Sequence, residues 1–378
     1  MGKVMRALGL MSGTSLDGID VALIDTDGEN YVVRGPAMTF PYRPAMRQVL
    51  ATAISDARQV SHRKDRPESL SHAERLVTEQ HVAAVAAFLH AHAIDSAAID
   101  VIGFHGQTVL HRPDARLTIQ LGLGDMLADM TGRPVVYDLR AADVAAGGQG
   151  APLVPVYHQA LTAQRDERPV AIVNIGGVAN VTWIGRDHRL IAFDTGPGNA
   201  LIDDWMLKHA GVAFDQDGTA ATRGRVHQDV VHFYLNHSYF ADAPPKSLDR
   251  NAFFWDLVEG LSVDDGAATL AAFTAGAIAK AREHMPEEPA LWIIAGGGRR
   301  NKAIMRLIAG HVQNAVVPAE TAGLDGDSLE AEAWGYLAAR SMMGLPITFP
   351  GTTGVSAPMT GGVLAKPKMP TLTASNDT

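Results

Sequence analysis

The chain has 378 residues, which is enough for two domains with hydrophobic cores of their own. Hydrophobic residues make up 47% of it, and its formal net charge of -9 argues against nucleic acid or an anionic membrane as the main partner. The lack of cysteine excludes disulfides, thiolate metal sites and a thiol nucleophile, and it fits a reducing, cytoplasmic setting. No signal peptide and no uncharged apolar run of roughly 20 residues is found, so we expect a soluble protein that acts on a small molecule.

The first predicted element is a β-hairpin with a small, polar tip within residues 5–26. Uncovered backbone N–H groups and hydroxyl donors can cradle a phosphate. The tip supplies such groups from Ser12, Gly13, Thr14, Ser15 and Gly18. Asp17 and Asp20 would repel a bare phosphate, so we expect Mg²⁺ between these carboxylates and the phosphate oxygens. An ordinary turn uses the same residue types and stays an alternative.

The next stretch predicts helices that alternate with strands ending in polar residues. An amphipathic helix over residues 70–94 leads into one strand, and a helix from about residue 125 leads into another. The polar residues at these strand ends are His105, Gln107, Asp138 and Arg140. They could line a sugar-sized pocket, where Arg140 could pair bidentately with a carboxylate, although surface or capping roles are also open. The glycine-rich residues 141–155 predict an interdomain hinge or a mobile active-site loop.

A second hairpin repeats the plan of the first about half a chain later. Its tip lies between Asn174 and Asn180 and contains Gly176 and Gly177. Two such tips can grip a polyphosphate from both sides of a cleft. The repetition predicts two α/β domains. The boundaries we expect are residues 1–150, residues 151–350, a C-terminal segment at 351–369 and a disordered tail at 370–378.

Three polar features in the second half are candidates for chemistry. Asp194 lies at a strand end before a glycine-rich helix start, where it could deprotonate water or a hydroxyl, or could simply cap the helix. The glycines at 296–298, followed by Asn301, join a strand to a helix and predict either a nucleotide-base platform or a tight turn. Glu330 could bind the sugar or could be a first-turn helix acid.

Other nucleotide-binding motifs are missing. The P-loop pattern G-x-x-x-x-G-K-[ST] does not occur, since the only Gly-Lys pair is at residues 2–3. No G-x-G-x-x-G follows a strand and opens a helix, which weakens a dinucleotide interpretation.

Together these motifs resemble the superfamily of sugar kinases, actin and heat-shock ATPases. The resemblance implies an α/β, two-domain ribonuclease-H-like (actin/hexokinase-type) ATPase fold with a central cleft. More specifically, the chain is similar to the anhydro-N-acetylmuramic acid kinase family over nearly its whole length. The matching motifs are GLMSGTSLDGID at 9–20, FHGQT at 104–108, YDLRAADVAAGGQGAPLVP at 137–155, NIGGVANVT at 174–182, FDTGPGN at 193–199, AGGGRRN at 295–301 and DSLEAEAW at 327–334.

The resemblance implies a reaction and a role for each matched residue. The family converts 1,6-anhydro-N-acetylmuramic acid, ATP and water into N-acetylmuramic acid 6-phosphate and ADP, a step of peptidoglycan recycling. Asp194 would activate the water, the first tip would bind the ATP phosphates, and Asp17 would hold Mg²⁺ through water. Adenosine and the second phosphate contact would involve Asn174, Gly176, Gly177, Gly296, Gly297, Gly298 and Asn301. The sugar would contact His105, Asp138, Arg140 and Glu330.

The resemblance also implies a cytoplasmic homodimer that uses neither nucleic acid nor a membrane. Two departures from the family pattern, Leu139 and the strongly charged residues 58–68, are expected not to touch the chemistry.

Other functions stay open from the residues alone. A kinase of the same superfamily could act on an ordinary sugar or small acid, with Asp194 deprotonating a substrate hydroxyl. An actin-type nucleotide switch would hydrolyse ATP without any sugar. A serine hydrolase using Ser15 is disfavoured, because the G-x-S-x-G motif needs glycine where Asp17 stands.

Overall fold

The computed structural model describes residues 3–13, 15–250 and 252–368, and these residues form two compact units. The first unit comprises residues 3–13, 15–145, 330–347 and 360–368, and the second comprises residues 146–250, 252–329 and 348–359. The boundary after residue 145 falls inside the segment 141–155, for which an interdomain hinge or a mobile loop was predicted. That this segment moves stays a prediction. The expected domain boundaries also stay a prediction, and the expected tail at 370–378 lies outside the described residues.

In the described part of the first unit, seven strands form one mixed sheet. The strands are β1 Met5–Ser12, β2 Gly18–Thr26, β3 Val32–Pro41, β4 Val101–Arg112, β5 Leu117–Leu121, β6 Val135–Tyr137 and β12 Val363–Ala365. Their order is β3-β2-β1-β4-β6-β12, with β5 paired to β4. The helices are α1 Pro44–Ala57, α2 Glu68–Ala91, α3 Gly124–Thr131, α4 Ala141–Ala145 and α11 Leu329–Met342.

Two glycines in the central strands let α11 lie directly on this sheet. A Cβ on Gly9 would lie 1.8 Å from the Ala331 carbonyl oxygen, and one on Gly103 would lie 2.0 Å from the Trp334 carbonyl oxygen. Any larger residue would therefore push the helix away. This close approach fixes the helix that carries Glu330 against the strands that carry Ser12 and His105.

In the described part of the second unit, five strands form a second mixed sheet in the order β9-β8-β7-β10-β11. They are β7 Val170–Ile175, β8 Val178–Ile184, β9 Leu190–Pro197, β10 Leu291–Ala295 and β11 Ala315–Pro318. The helices are α5 Pro155–Leu161, α6 Ala200–Ala210, α7 Thr219–Arg223, α8 Gln228–Leu235, α9 Val263–Lys280, α10 Lys302–His311 and α12 Pro350–Thr353. Helix α9 is rich in alanine and glycine and is buried along almost all of its length, so it is the centre of this core.

The two sheets share one plan. In each, three successive antiparallel strands are extended by two parallel ones, β3-β2-β1-β4-β6 in the first unit and β9-β8-β7-β10-β11 in the second. Both predicted hairpins, β1–β2 and β7–β8, are present. The predicted ribonuclease-H-like α/β class is confirmed. Among the described residues, no helix is long and apolar enough to cross a membrane.

Candidate functional site

The tip of the first hairpin is held from beneath by buried side chains. Ser12 is fully buried, and its Oγ donates a hydrogen bond to Gln107 Oε1 at 2.6 Å. The same hydroxyl lies 2.9 Å from Tyr42 Oη, and Gln107 Nε2 donates to the Gly13 carbonyl at 3.1 Å. The Ser12 hydroxyl is thus committed to protein partners, so its contribution to the tip is to fix the backbone.

The rest of this tip is more open. Ser15 and Asp17 are exposed, and Leu16 adopts a left-handed backbone with φ of 59° between them. Gly18 lies in β2 and pairs with Pro41 of β3, and a Cβ there would lie 2.4 Å from the Phe40 carbonyl oxygen. Glycine at this position therefore lets the two strands approach closely. Thr14, a predicted phosphate contact, lies outside the described residues.

The carboxylates near this tip suit a hydrated magnesium ion. Asp17 is exposed, while Asp20 Oδ1 accepts a hydrogen bond from Thr39 Oγ1 at 2.6 Å. Within the described ranges, no group of three His, Asp or Glu side chains is arranged to enclose a metal. Mg²⁺ is commonly bound by one or two carboxylates plus water and substrate phosphate, so Asp17 fits such an ion held largely by other ligands.

A neutral histidine lies next to Ser12 in the first unit. His105 is buried, with Nδ1 3.1 Å from the Ser12 carbonyl oxygen and Nε2 3.2 Å from Arg140 Nη2. Because a guanidinium only donates, Nε2 must accept and Nδ1–H must donate to Ser12. Burial lowers the pKa of His105 well below its usual value, and the Arg140 charge lowers it further. His105 is therefore a fixed, uncharged support for Arg140.

Arg140 and Glu330 form the charged part of the same cluster. The Arg140 guanidinium lies 5.1 Å above the Trp334 ring, and burial lowers its pKa to about 10, so it stays protonated at neutral pH. Burial raises the pKa of Glu330, which Arg140 opposes and Asp20 reinforces. Three of the four predicted sugar residues, His105, Arg140 and Glu330, are thus brought together.

The fourth predicted sugar residue, Asp138, has a different environment. Its backbone is left-handed with φ of 57°, and Arg63 donates to its Oδ2. Its Oδ1 is buried and has no hydrogen-bond partner among the described residues. Burial raises the pKa of Asp138 and Arg63 opposes the shift. Arg63, from the charged residues 58–68, therefore contacts a predicted sugar residue, and the expectation that this segment does not touch the chemistry stays a prediction.

The tip of the second hairpin is fastened by backbone hydrogen bonds. The Gly177 carbonyl accepts from the Gly198 N–H at 2.9 Å, and the Gly176 carbonyl accepts from the Asn199 N–H at 2.7 Å. A Cβ on Gly198 would lie 2.2 Å from the Gly176 carbonyl oxygen, which requires glycine there. The start of α6 and the tip are therefore one rigid element.

Asp194 lies in β9, opposite Asn180 of β8. Its Oδ2 accepts the Leu248 N–H at 2.8 Å, and burial raises its pKa to about 7 despite that hydrogen bond. The capping alternative is wrong, because the residue at the N-cap of α6 is Asn199. A carboxyl with a pKa near 7 is well matched to accept a proton at neutral pH.

The predicted glycine turn follows β10 and packs beside the second tip. A Cβ on Gly296 would lie 2.4 Å from Asn174 Oδ1, and one on Gly298 would lie 2.3 Å from Ile175 Cγ2. Gly297 is exposed and has space for close approach of a ligand. Asn301 is the N-cap of α10, where its Oδ1 accepts two backbone N–H groups. The structure thus brings Asn174, the tip glycines and Gly296–298 together.

Several groups that support these elements were not predicted. Arg299, buried under the glycine turn, donates to Glu320 and Asp327. Asp203 in α6 resembles Asp194 in that burial raises its pKa to about 7. The Arg250 charge partly offsets this shift. No local pattern signals these groups, since each depends on residues far along the chain.

Comparison with known proteins identifies relatives over the full length. The sequence model described as anhydro-N-acetylmuramic acid kinase matches residues 5–367. A protein of that name from Agrobacterium fabrum is 51% identical over 372 residues, covering 97% of this chain and 100% of the relative. Proteins of the same name from Azorhizobium caulinodans and Methylobacterium nodulans are 55% and 53% identical, and each alignment covers 96% of this chain and 100% of the relative.

Proposed function

Because the chain belongs to the anhydro-N-acetylmuramic acid kinase family, we propose that it uses ATP and water to convert 1,6-anhydro-N-acetylmuramic acid into N-acetylmuramic acid 6-phosphate and ADP. The observation that carries this proposal is the family match from residue 5 to residue 367, with relatives about half identical over their whole length. The reaction would serve peptidoglycan recycling. The family resemblance supports a homodimer, and the absence of cysteine fits the reducing cytoplasm.

Asp194 is the proposed base. It takes a proton from water, and the water oxygen forms a bond to the anomeric carbon. The bond from that carbon to O6 breaks, and O6 keeps the electron pair. O6 then attacks the γ-phosphorus, and the bond to the bridging oxygen breaks to release ADP. The raised pKa of Asp194, caused mainly by burial, supports this role because a carboxylate with an ordinary pKa is a much weaker base.

The two hairpin tips and the glycine turn are proposed to bind ATP. In the first unit, the backbone around Gly13 and Ser15 would contact phosphate, with Ser12 and Gly18 holding its shape. In the second unit, Gly176 and Gly177 would contact phosphate, and Gly296–298 would lie against adenosine. Asn174 packs beside Gly296, and Asn301 caps the helix that follows the glycine turn. Phosphoryl transfer depends mostly on such positioning and on charge stabilisation. Bound Mg²⁺, held by Asp17 through water, would neutralise phosphate charge.

The polar cluster of the first unit is proposed to bind the sugar. Arg140 is a protonated, oriented cation, and it suits the carboxylate of the muramic acid side chain. Glu330 is partly buried beside it and can accept sugar hydroxyls. His105 supports Arg140, while the unpaired Oδ1 of Asp138 is a further acceptor.

The test is ADP release from Mg-ATP with and without the anhydro sugar, run in ¹⁸O-labelled water with mass analysis of the product. We expect sugar-dependent ADP release and one solvent oxygen in a ring-opened 6-phosphate. Unlabelled product incubated in the same water corrects for exchange at the anomeric carbon. A phosphorylated product without solvent oxygen would instead indicate an ordinary sugar kinase, and ADP release indifferent to sugar would indicate a nucleotide switch.

A further inference from the structure

A closed set of hydrogen bonds surrounds Asp194 and connects it to a loop that the sequence analysis did not single out. The Asp194 N–H donates to the Lys246 carbonyl at 3.0 Å, and Leu248 N–H donates to Asp194 Oδ2 at 2.8 Å. On the other side, Tyr239 Oη donates to the Asp194 carbonyl at 2.6 Å. Residues 246–248 therefore lie beside β9 and hydrogen-bond to both the backbone and the carboxylate of Asp194.

The Lys246 side chain completes this set. Its Nζ donates to the Tyr239 carbonyl at 2.8 Å and lies 4.7 Å from the centre of the Tyr239 ring. It also lies 3.3 Å from His284 Nε2. A partly buried lysine that is directed at backbone carbonyls, with no carboxylate within ion-pairing distance among the described residues, acts as an anchor for its loop.

From this geometry we propose that Lys246 is a positioning residue for the base, since it fastens residues 246–248 to Tyr239 and thereby holds the Leu248 N–H on Asp194 Oδ2. The proposal rests on the proposed function in that Asp194 is taken as the base. Lys246 itself need not touch the sugar or ATP.

Removal of the anchor should change the acidity of Asp194 in a known direction. The Leu248 N–H stabilises the charged carboxylate, so a loosened loop leaves Asp194 harder to ionise. The titratable and charged groups that face Asp194 or Lys246 are Tyr239, Asp242, Lys280, Glu283 and His284. None of these donates to the Asp194 carboxylate, so none replaces Leu248.

The experiment compares the pH dependence of sugar-dependent kcat for the wild type, Lys246→Met and Lys246→Arg. We expect the acid limb of Lys246→Met to move up by about 1 pH unit, which lowers kcat about fivefold at pH 7 and restores most of it by pH 9. The acid limb of Lys246→Arg, which keeps a cationic donor, should move up by less than that of Lys246→Met. Lys280→Met is the matched control, because it removes a charge that acts on Lys246, and its own ion pair with Glu283, but leaves the hydrogen bonds of Lys246 and Asp194 in place. An unshifted profile in Lys246→Met, or a loss of kcat equal at every pH, would overturn the proposal.

A second measurement does not depend on activity. Asp194→Asn should raise the melting temperature more at pH 9 than at pH 5, because ionising a carboxyl with a raised folded pKa destabilises the native state. The excess of the rise in melting temperature at pH 9 over the rise at pH 5 should be larger when Asp194→Asn is made in the Lys246→Met chain than in the wild type. Equal differences in the two chains would refute the anchor. Absence of sugar-dependent turnover in the wild type would instead refute the proposed function and leave this test intact.

Discussion

The two hairpin tips occupy the same place in two sheets of the same strand order, yet they are held in different ways. In the first unit the support comes from side chains, since the Ser12 hydroxyl hydrogen-bonds with both Gln107 and Tyr42 beneath the turn. In the second unit the support comes from the backbone, since the Gly176 and Gly177 carbonyls accept N–H groups from residues 198–200. Two tips at equivalent positions of the two sheets are therefore stabilised by different kinds of hydrogen bond. Substitutions at the two tips should have different effects on stability and turnover.

The largest effect is expected where the backbone support has no room to adjust. Gly198→Ala would place a methyl group 2.2 Å from the Gly176 carbonyl oxygen, so the tip must separate from the start of α6. We expect turnover to fall about 100-fold, equivalent to about 3 kcal/mol in the transition state. Steady-state kinetics measure it, and Gly310→Ala is the control because nothing lies near that position in α10. Near-normal turnover of Gly198→Ala would show that this connection is dispensable.

A smaller effect is expected from the side-chain support of the first tip. Ser12→Ala leaves Gln107 and Tyr42 with an unmatched buried group, which should lower the free energy of unfolding by about 1–3 kcal/mol. Denaturant unfolding measures the loss. Ser15→Ala removes an exposed hydroxyl from the same tip and should change stability by less than about 0.5 kcal/mol. Equal stability of the two variants would contradict the scaffold role of Ser12.

The smallest effect separates the helix-capping and ligand-binding roles of Asn301. Asn301→Ala removes an N-cap that accepts the Ala303 and Ile304 N–H groups, so we expect a loss of about 1 kcal/mol in unfolding free energy. The KM for ATP should change less than threefold, roughly the effect of 0.6 kcal/mol. Asn301→Asp should keep the cap. A large rise in KM with unchanged stability would mean that Asn301 binds adenosine directly.

The sequence predicted those features that depend on local pattern. Alternating apolar residues around small polar tips predicted both hairpins, and the repeated plan predicted two α/β sheets. Glycines at a strand end predicted the turn after β10. These features follow from backbone preferences over a few residues, which a single sequence carries directly.

What the sequence did not predict depends on contacts between distant residues. Arg63 and Asp138 are 75 positions apart, and Leu248 is 54 positions from Asp194. The burial that neutralises His105 or raises the pKa of Asp194 is likewise a property of packing. Such contacts leave no periodic signal, so only the folded chain identifies the residues that support the site.

The central claim, that Asp194 is a base with a raised pKa, is tested most directly by the pH dependence of sugar-dependent turnover. We expect kcat of the wild type to fall about tenfold per unit below pH 7, as Asp194 becomes protonated. Asp203→Asn should keep this limb although Asp203 has a similar pKa, while Asp194→Asn should abolish turnover but still bind ATP. Turnover that stays constant down to pH 5, or a limb that disappears in Asp203→Asn, would contradict the account.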